Sequence, residues 1–591
     1  MRIGIDCGGT FTDFAVLHDD GLLEVFKRRS NAADPAGVMI AGILEATRGQ
    51  DGAVAIVHGS TVATNALLER KGARTAFITS PGFRDLLGVG RQHRDSLYSL
   101  HPGDRPNLVD SRLCFEWPEP LPGHGIDAIA ICLLNAYKDD AAEKQIEVEL
   151  AGRGIYVCRS SEIAPEFREY ERASTTVVNA YVGPLMNRYL ERLEQDCPFP
   201  IEIMQSSGGL LSAGEARVHA VRTILSGPAG GVIGAREMGR WAGSPRVISF
   251  DMGGTSTDVS LVEDPLRFAT EAWVEGLPVR VPMLDIHTVG AGGGSVAFVD
   301  GGARLRVGPE SAGANPGPAC YGTGDLATVT DAHVVLGRIV PGRFLGGTME
   351  IFAERAERVV GEIGRQLSLG VQETAAAIVR IANSNMEQAI RAVTLEKGQD
   401  PRDLPMVAFG GCGGLHACEI AEELGVRQVI FPPWAGALSA VGMLLATRTR
   451  DYAVGAIGSD TVEELFTLLR RRAEADLPGA EIEQHADIRY RGQSYELTVA
   501  WDGENSRGPF EAEYEKIYGF RDPARAIEIV TVRVRATLPA TAAKLKRIPP
   551  GSVLQEPVAG PALLFEYGST AFVPPGWRAA ANEAGVVTAT F

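Results

Sequence analysis

The feature that most constrains the fold of this 591-residue chain is a fifteen-residue segment that occurs twice. One copy, IGIDCGGTFTDFAVL, runs from Ile3 to Leu17, and the other, ISFDMGGTSTDVSLV, runs from Ile248 to Val262. Laid over each other without a gap, both copies keep the frame D-x-G-G-T-x-T-D. Apolar residues on both sides of each Gly-Gly-Thr turn predict a β-hairpin, with backbone N–H groups and threonine hydroxyls at its tip.

Each predicted hairpin tip has the chemistry of a phosphate site. Glycines let the main chain approach an anion closely, and successive N–H groups form a concave nest of donors. The aspartate that ends each first strand would repel a bare phosphate, so its presence indicates a bridging cation, most simply Mg²⁺ with its waters. One such hairpin is also an ordinary tight turn, but two copies with the same polar positions favour two related lobes that bind one nucleotide.

Charge and composition exclude several classes of function. The net charge of −17 at pH 7 argues against a general binder of nucleic acid or of anionic membranes, because only local patches would offset phosphate repulsion. The eight cysteines are scattered without a C-x-x-C pair, which predicts reduced thiols in a cytoplasmic protein. The chain opens directly into a predicted strand, so no signal peptide is expected, and apolar runs such as Asp127 to Leu134 are too short to span a membrane.

The pattern of elements predicts an α/β fold in three parts. Strand-like and helix-like runs alternate through residues 1–195, which would form a first lobe that ends in a long helix, Glu166 to Gln195, broken at Pro184. Residues 196–455 would form a second lobe with the second hairpin. Alternating runs beyond about Gly455 indicate a small α+β domain over 456–591. Late in the second lobe, the strand Met406–Phe409 runs into a glycine turn and a helix from about Leu415, which is a third candidate element for nucleotide binding.

The two hairpins followed by a strand–glycine–helix turn resemble the actin, sugar-kinase and heat-shock ATPase superfamily. Further motifs narrow the resemblance to the hydantoinase A / 5-oxoprolinase family. They are His58-Gly-Ser-Thr-Val-Ala-Thr-Asn65, Gly82-Phe-Arg-Asp85, Ser226-Gly-Pro-Ala-Gly-Gly231, Asp285-Ile-His-Thr-Val-Gly-Ala-Gly-Gly-Gly294, Val307-Gly-Pro-Glu-Ser-Ala-Gly313, Pro316-Gly-Pro-Ala-Cys-Tyr321 and Thr330-Asp-Ala332. The resemblance implies two actin-like (ribonuclease-H-like) lobes around a nucleotide cleft, with ATP and Mg²⁺ as cofactors.

The resemblance also assigns roles within that cleft. Asp6 and Asp251 would hold Mg²⁺ through water, and Asp13 and Asp258 would either orient hydroxyls or act as a base, so these four are the candidate catalytic residues. The phosphates would contact the turn residues Gly8, Gly9, Thr10, Thr12, Gly253, Gly254, Thr255 and Thr257. The adenosine would pack on Gly410, Gly411, Gly413 and Gly414. Relatives usually carry a proline at the position of Gly414 and a histidine at that of Tyr514.

The activity that the resemblance implies is ATP-dependent opening of a cyclic amide such as 5-oxoproline, a hydantoin or a related lactam. Phosphorylation of the amide oxygen would activate the carbonyl, and a B-type partner subunit would complete the enzyme as a hetero-oligomer. Two alternatives stay open: the nucleotide subunit of an ATP-dependent ketone carboxylase, and an ATP-driven activator of another protein. The oxoprolinase motifs argue against the activator.

The substrate side of the cleft has weaker candidates. They are His58, Asn65, Arg91, His93 and His287. Each also has a structural interpretation, because a lone histidine is usually a hydrogen-bonding group of the fold and Arg91 with Arg94 fits a solvated face. His287 is the strongest of the set, since it lies between Asp285 and a triple-glycine turn. The Gly290–Gly294 run fits neither the Walker lysine motif nor the dinucleotide fingerprint.

Overall fold

The computed structural model describes residues 1–31, 33–48, 52–92, 105–459, 461–503, 506–538, 545–546 and 554–591. Helices and strands alternate through these ranges in a mixed α/β fold, as the sequence pattern predicts. Within the same ranges, none of the helices combines the length and the apolarity that a membrane crossing needs. All eight cysteines lie in described ranges, and none forms a disulfide.

The structure contains fifteen α-helices within the described residues. They are α1 Pro35–Ala46, α2 Val62–Leu68, α3 Leu86–Val89, α4 Ala141–Leu150, α5 Ser160–Ile163, α6 Glu169–Asp196, α7 Ala213–Val218, α8 Ser226–Trp241, α9 Val329–Val335, α10 Ala353–Leu367, α11 Val371–Val393, α12 Gly410–Leu424, α13 Leu438–Leu445, α14 Val462–Asp476 and α15 Arg507–Tyr518.

The strands of the first half contribute to three larger sheets and form three two-stranded sheets. They are β1 Arg2–Cys7, β2 Phe11–Leu17, β3 Leu23–Arg29, β4 Ala55–Gly59, β5 Thr75–Thr79, β6 Cys114–Glu116, β7 Ala128–Cys132, β8 Tyr156–Arg159, β9 Ile201–Met204, β10 Leu210–Ser212, β11 Arg246–Met252, β12 Thr257–Glu263, β13 Phe268–Ala269, β14 Ala272–Val274, β15 Leu277–Val279, β16 Met283–Leu284, β17 His287–Val289, β18 Ser295–Val299 and β19 Leu305–Ser311. One of the larger sheets is β6–β5–β7–β8.

The strands of the second half complete one of those sheets and add another. They are β20 Met406–Phe409, β21 Gln428–Phe431, β22 Thr449–Gly455, β23 Glu481–Tyr490, β24 Leu497–Ala500, β25 Ile527–Thr537, β26 Val558–Ala559, β27 Ala562–Glu566, β28 Ser569–Val573, β29 Arg578–Ala581 and β30 Val587–Thr590.

The two repeated segments occupy equivalent places in two sheets. The first hairpin lies in the sheet β10–β9–β4–β1–β2–β3, where β1 pairs antiparallel with β2 and parallel with β4. The second lies in the sheet β17–β12–β11–β20–β21–β30–β29–β26, where β11 pairs antiparallel with β12 and parallel with β20. Both hairpins therefore sit beside a parallel neighbour that follows them in the chain.

A pair of helices, α8 and α13, packs against strands of both sheets. An alanine at Gly442 of α13 would clash with the backbone of Gly230 in α8, and one at Gly4 would clash with the Ala440 carbonyl. Small residues at these crossings let the helices approach each other and β1 closely. The helix pair thus connects the two sheets that carry the hairpins.

Three sequence-based boundaries differ from the observed elements. β9 and β10 pair with the first sheet although they follow residue 195, and β26, β29 and β30 join the second sheet although they lie in 456–591. The division into three domains itself stays a prediction. Helix α6 runs unbroken through Pro184, because its flanks from Tyr170 to Met186 are almost entirely buried and packing holds the helix together.

Candidate nucleotide site between the two hairpins

The tips of the two hairpins meet. Asp6 pairs with Asp13 across the first hairpin, and Asp251 pairs with Asp258 across the second, in the same register. A methyl group built on Gly9 would lie 3.5 Å from Cγ2 of Thr255, and one built on Gly254 would lie 2.6 Å from Oγ1 of Thr10. The structure therefore brings the first threonine of each copy to the other copy's glycines.

The four aspartates of the hairpins form one electrostatic cluster. Burial, followed by the neighbouring carboxylates Asp13 and Asp251, raises the pKa of Asp6 well above its usual range. Burial and then Asp258 raise the pKa of Asp251 to about 7, against a hydrogen bond of 3.1 Å from Ser439 that lowers it. Burial likewise raises the pKa of Asp258 to about 6, and Thr288 donates to it at 2.5 Å.

Lys27 supplies the opposing charge, and sequence reasoning missed it. Its ammonium group donates to Asp13 at 2.6 Å and also to the Gly436 carbonyl. Burial raises the pKa of Asp13, and Lys27 counters that shift. Lys27 stands directly opposite Asp13 in the pairing of β2 with β3. Only this strand pairing indicates that Lys27 lies beside Asp13. The pairing cannot be predicted from the sequence unless the strand register is known.

The cluster fits a divalent cation that keeps most of its waters. Four carboxylates face a single lysine, so the site is short of positive charge, as the raised pKa values show. Over the described parts of the chain, no group of three or more His, Cys, Asp or Glu side chains is arranged to hold a metal ion directly. Mg²⁺ typically needs only one or two carboxylates when phosphate and water fill its other positions. Asp6 and Asp251 are the residues that would hold it.

The second threonine of each copy is used within the protein. The Thr257 hydroxyl donates to the Ala291 carbonyl at 2.5 Å and is fully buried. The Thr12 hydroxyl lies 3.1 Å from that of Ser30, and its side chain is 2% exposed. Contact with phosphate would require these bonds to break. Thr10 and Thr255 are therefore the remaining candidates for hydroxyl groups that donate hydrogen bonds to phosphate.

The triple-glycine segment supports the second hairpin. Gly293 donates its N–H to the Gly253 carbonyl at 3.0 Å, and Gly294 donates to the Gly254 carbonyl at 2.7 Å. A methyl group on Gly292 would lie 2.7 Å from backbone atoms of Gly254 and Thr255. The triple-glycine segment thus fixes the position of the Gly253–Thr255 turn.

The glycine-rich segment Gly410–Gly414 forms the first turn of a helix, whereas the sequence predicted a turn that precedes the helix. Helix α12 begins at Gly410, whose φ of +78° favours glycine, and not at Leu415 as predicted. Gly411 is exposed, whereas Gly413 and Gly414 are buried. A methyl group on Gly414 would lie 2.7 Å from the Thr570 carbonyl, so the missing proline is explained by the close approach of β28.

One pocket joins these elements. It is lined by both hairpins, Lys27, the start of α12 and the C-terminal turn between β27 and β28. In that turn Glu566 accepts hydrogen bonds from the backbone N–H groups of Trp434 at 2.6 Å and Ala435 at 2.9 Å. Burial raises the pKa of Glu566 to about 7. The C-terminal segment therefore forms a wall of the site, which sequence reasoning did not foresee.

The substrate-side candidates are not brought together. His58 is fully buried, its imidazole lies 2.7 Å from the Tyr189 hydroxyl, and burial lowers its pKa to about 4. Arg91 makes two hydrogen bonds of 2.7 Å with Glu171. Asn65 is exposed on α2.

His287 is exposed, and strand alternation places it on the face opposite to Thr288, which binds Asp258. His93 lies outside the described residues. Tyr514, which replaces the family's histidine, is buried and accepts a hydrogen bond of 2.7 Å from Gln493.

Comparison with known families and proteins gives consistent matches. Residues 172–452 match Hydantoinase/oxoprolinase, and residues 2–119 match Hydantoinase/oxoprolinase N-terminal region. The chain is 30% identical to caprolactamase subunit alpha of Pseudomonas jessenii, over 98% of this chain and 97% of that one. It is 33% identical to 5-oxoprolinase 1 of Arabidopsis thaliana over 90% of this chain, and it spans about half (50%) of that protein.

Two solved structures share the fold over the full chain. ATP-dependent caprolactamase from Pseudomonas jessenii matches with a TM-score of 0.83 and 28% identity, covering 100% of both chains. A nucleotide-free acetone carboxylase matches with a TM-score of 0.80 and 24% identity, covering 100% of this chain and 99% of that one.

Proposed function

The chain belongs to the hydantoinase/oxoprolinase family, and from this premise we propose that it is the ATP-binding component of an enzyme that opens a cyclic amide. The observation that carries the proposal is the meeting of the two D-x-G-G-T hairpins: their tips line one pocket, and their four aspartates interact electrostatically with one another. We further propose that the two sheets belong to actin-like lobes and that this pocket holds ATP and Mg²⁺.

The proposed reaction begins on the amide oxygen. That oxygen attacks the γ-phosphorus, the bond to ADP breaks, and ADP leaves with the bonding electrons. Water then adds to the activated carbon, and the ring C–N bond breaks to give an amine and an acyl phosphate. A second water hydrolyses the acyl phosphate to a carboxylate and inorganic phosphate. An amide oxygen is a weak nucleophile, so positioning and charge neutralisation supply most of the rate.

Each residue of the site would have a separate role in this reaction. Thr10 and Thr255 would donate hydroxyl hydrogen bonds to phosphate oxygens from opposite tips. Bound Mg²⁺ would neutralise negative charge on the phosphates. Lys27 fixes the Asp13 carboxylate, and Thr288 fixes that of Asp258. A carbonyl acceptor carries no proton to remove, which favours an orienting role for both aspartates, although the pKa of about 6 at Asp258 would also suit a base.

The substrate class and the partner rest on the relatives. One relative is named a caprolactamase subunit alpha, which implies another subunit, and others are named 5-oxoprolinases and are about twice as long as this chain. We propose a lactam, 5-oxoproline or a hydantoin as substrate and a B-type subunit as partner. The acetone carboxylase match supports the fold alone, so the carboxylase alternative gains nothing from it.

The test is lactam-dependent release of ADP by the chain with and without a B-type subunit. Asp251→Asn should abolish turnover while leaving the fold intact, because it removes a carboxylate from the cation site. Asp325→Asn is the matched control, since that aspartate is 76% exposed and its partners are surface arginines. Unchanged turnover in a folded Asp251→Asn variant would refute the site, and full turnover by the chain alone would refute the need for a partner.

A further inference from the structure

A second cavity lies where the sheet β22–β25–β23–β24 faces the N-terminal half of the chain. Its volume is about 920 Å³, which is the size of a pocket for a metabolite. Among the described residues, it shares no lining residue with the nucleotide pocket. It is therefore a separate site that the reaction proposed above does not use.

The cavity is positively charged although the chain is acidic. Its lining contains eight arginines and six carboxylates, in a chain of net charge −17. Most of these arginines are paired. Arg280 and Arg533 bind Glu166 at 2.7 and 2.6 Å, and Arg535 binds Asp451 at 2.7 Å. Two arginines of the lining form no ion pair within the described residues.

Those two are Arg222 and Arg236. Neither forms an ion pair with any residue in the described ranges, and the Nε atom of each is buried without a hydrogen-bond partner there. Arg222 donates only to the backbone carbonyl of Asp451, at 3.3 Å. Burial lowers the pKa of both guanidinium groups, as expected for cations that lack an anion.

A short loop contacts both of the segments that carry the two arginines, and both arginines line the cavity. Ser206 donates to the Arg222 carbonyl through its N–H at 2.7 Å and through its hydroxyl at 2.8 Å. A methyl group on Gly208 would lie 3.0 Å from Cδ1 of Ile233, which is one helical turn before Arg236 in α8. The loop from Ser206 to Gly208 thus contacts the segments that carry both arginines.

Further polar atoms on the lining have no partner. Ser207 is only 5% exposed, and its hydroxyl makes no hydrogen bond to any described residue. The same holds for Nδ1 of His219 and Nε2 of Gln484, which also line the cavity. A buried polar group without a hydrogen-bond partner destabilises the fold, because it has lost its bonds to water. Several such groups around one cavity indicate an occupant that bonds to them.

We propose that this cavity binds a small organic oxyanion, a dicarboxylate or a phosphate-bearing metabolite, through Arg222 and Arg236 with Ser207 as a hydroxyl donor. An arginine forms strong charge-assisted hydrogen bonds with either type of oxyanion. The neutral donors at His219 and Gln484 would bind the rest of the ligand. The site is independent of the proposed reaction.

The test uses isothermal titration of the full chain with two probes, glutarate and inorganic phosphate. Arg222→Gln and Arg236→Gln should each weaken binding by about tenfold or more, because each removes a charged hydrogen-bond donor. The Nε atom of Arg236 has no hydrogen-bond partner among the described residues, and the side chain forms no ion pair there, so its variant is expected to fold even if Arg222→Gln does not. Arg153→Gln, at an exposed arginine, is the matched control and should bind like the parent.

A second variant separates this cavity from the nucleotide pocket. Asp251→Asn should leave binding of glutarate unchanged, since Asp251 does not line this cavity. Tighter binding of glutarate than of phosphate would identify the ligand as a carboxylate, and the reverse would identify a phosphate ester. The proposal is overturned if neither probe binds, or if both arginine variants bind the probes as tightly as the parent.

Discussion

Replacing Gly292 with alanine tests whether the triple-glycine segment positions the second hairpin. The added methyl group would lie 2.7 Å from three backbone atoms of Gly254 and Thr255, whereas ordinary contact begins near 3.4 Å. The turn must therefore withdraw by about 0.7 Å. Overpacking of this kind typically costs about 1–3 kcal/mol, and a displacement near 1 Å at a reacting group can cost about 100-fold in rate.

We expect the Gly292→Ala variant to remain folded, with kcat/KM for ATP hydrolysis lowered roughly 10- to 100-fold. The assay is lactam-dependent ADP release, with binding of Mg·ADP measured by titration calorimetry. Gly290→Ala is the control in the same segment, because its methyl group would lie 3.7 Å from the nearest atom, the Pro309 carbonyl oxygen. If both variants match the parent in nucleotide binding and turnover, the segment does not position the turn.

Three further predictions concern charge and closure. Glu166→Ala should lower the free energy of unfolding by about 1–3 kcal/mol in urea titrations, because Arg280 and Arg533 would lose their hydrogen bonds to a buried carboxylate while keeping Glu496 and Asp487; an unchanged free energy of unfolding would contradict this. Burial raises the pKa of Glu166, but Arg533 and Arg280 outweigh it and hold the pKa at about 2, so its contribution to stability is present above pH 4.5 and is lost as the pH falls through 2. Since the pKa of Asp251 is about 7, the affinity for Mg·ADP should rise between pH 6 and 8, and a flat profile would argue against a carboxylate ligand. A non-hydrolysable ATP analogue should reduce the radius of gyration in solution scattering, because nucleotide touching both hairpins favours a closed state; an unchanged radius at saturation would favour a rigid cleft.

The hairpins and their aspartates were predictable because the chain repeats them. A shared frame fixes both the turn and the residues on either side of it, and the observed register pairs Asp6 with Asp13 and Asp251 with Asp258. Strand alternation also bears on the prediction that Thr12 contacts phosphate. Thr12 adjoins Asp13 in β2, so the two side chains point to opposite faces, and only one of them can face the cleft.

Other parts of the site could not be predicted, because they depend on which β-strands pair and in which register. Lys27 faces Asp13 only because β3 pairs with β2 in one particular register. The presence of a lysine in β3 and an aspartate in β2 does not by itself predict that the two side chains are neighbours. The alternating pattern of the C-terminal strands indicates β structure, but it does not reveal that their partner is β21 in a different part of the chain. The motif around His58 suggested a role at the substrate, whereas the apolar strand around it predicted burial. The side chain is buried, and its role at the substrate stays a prediction.

The pairing of β21 with β30 also sets a condition on biosynthesis. Val429 pairs with Ala589, so β21 emerges from the ribosome roughly 160 residues before the strand that covers its edge. At about 5–20 residues per second, the interval is about 8–30 s. During that time β21 presents unpaired backbone groups, which are a template for aggregation or for pairing with another chain. The nascent protein should therefore depend on chaperones most strongly while its last 160 residues are being made.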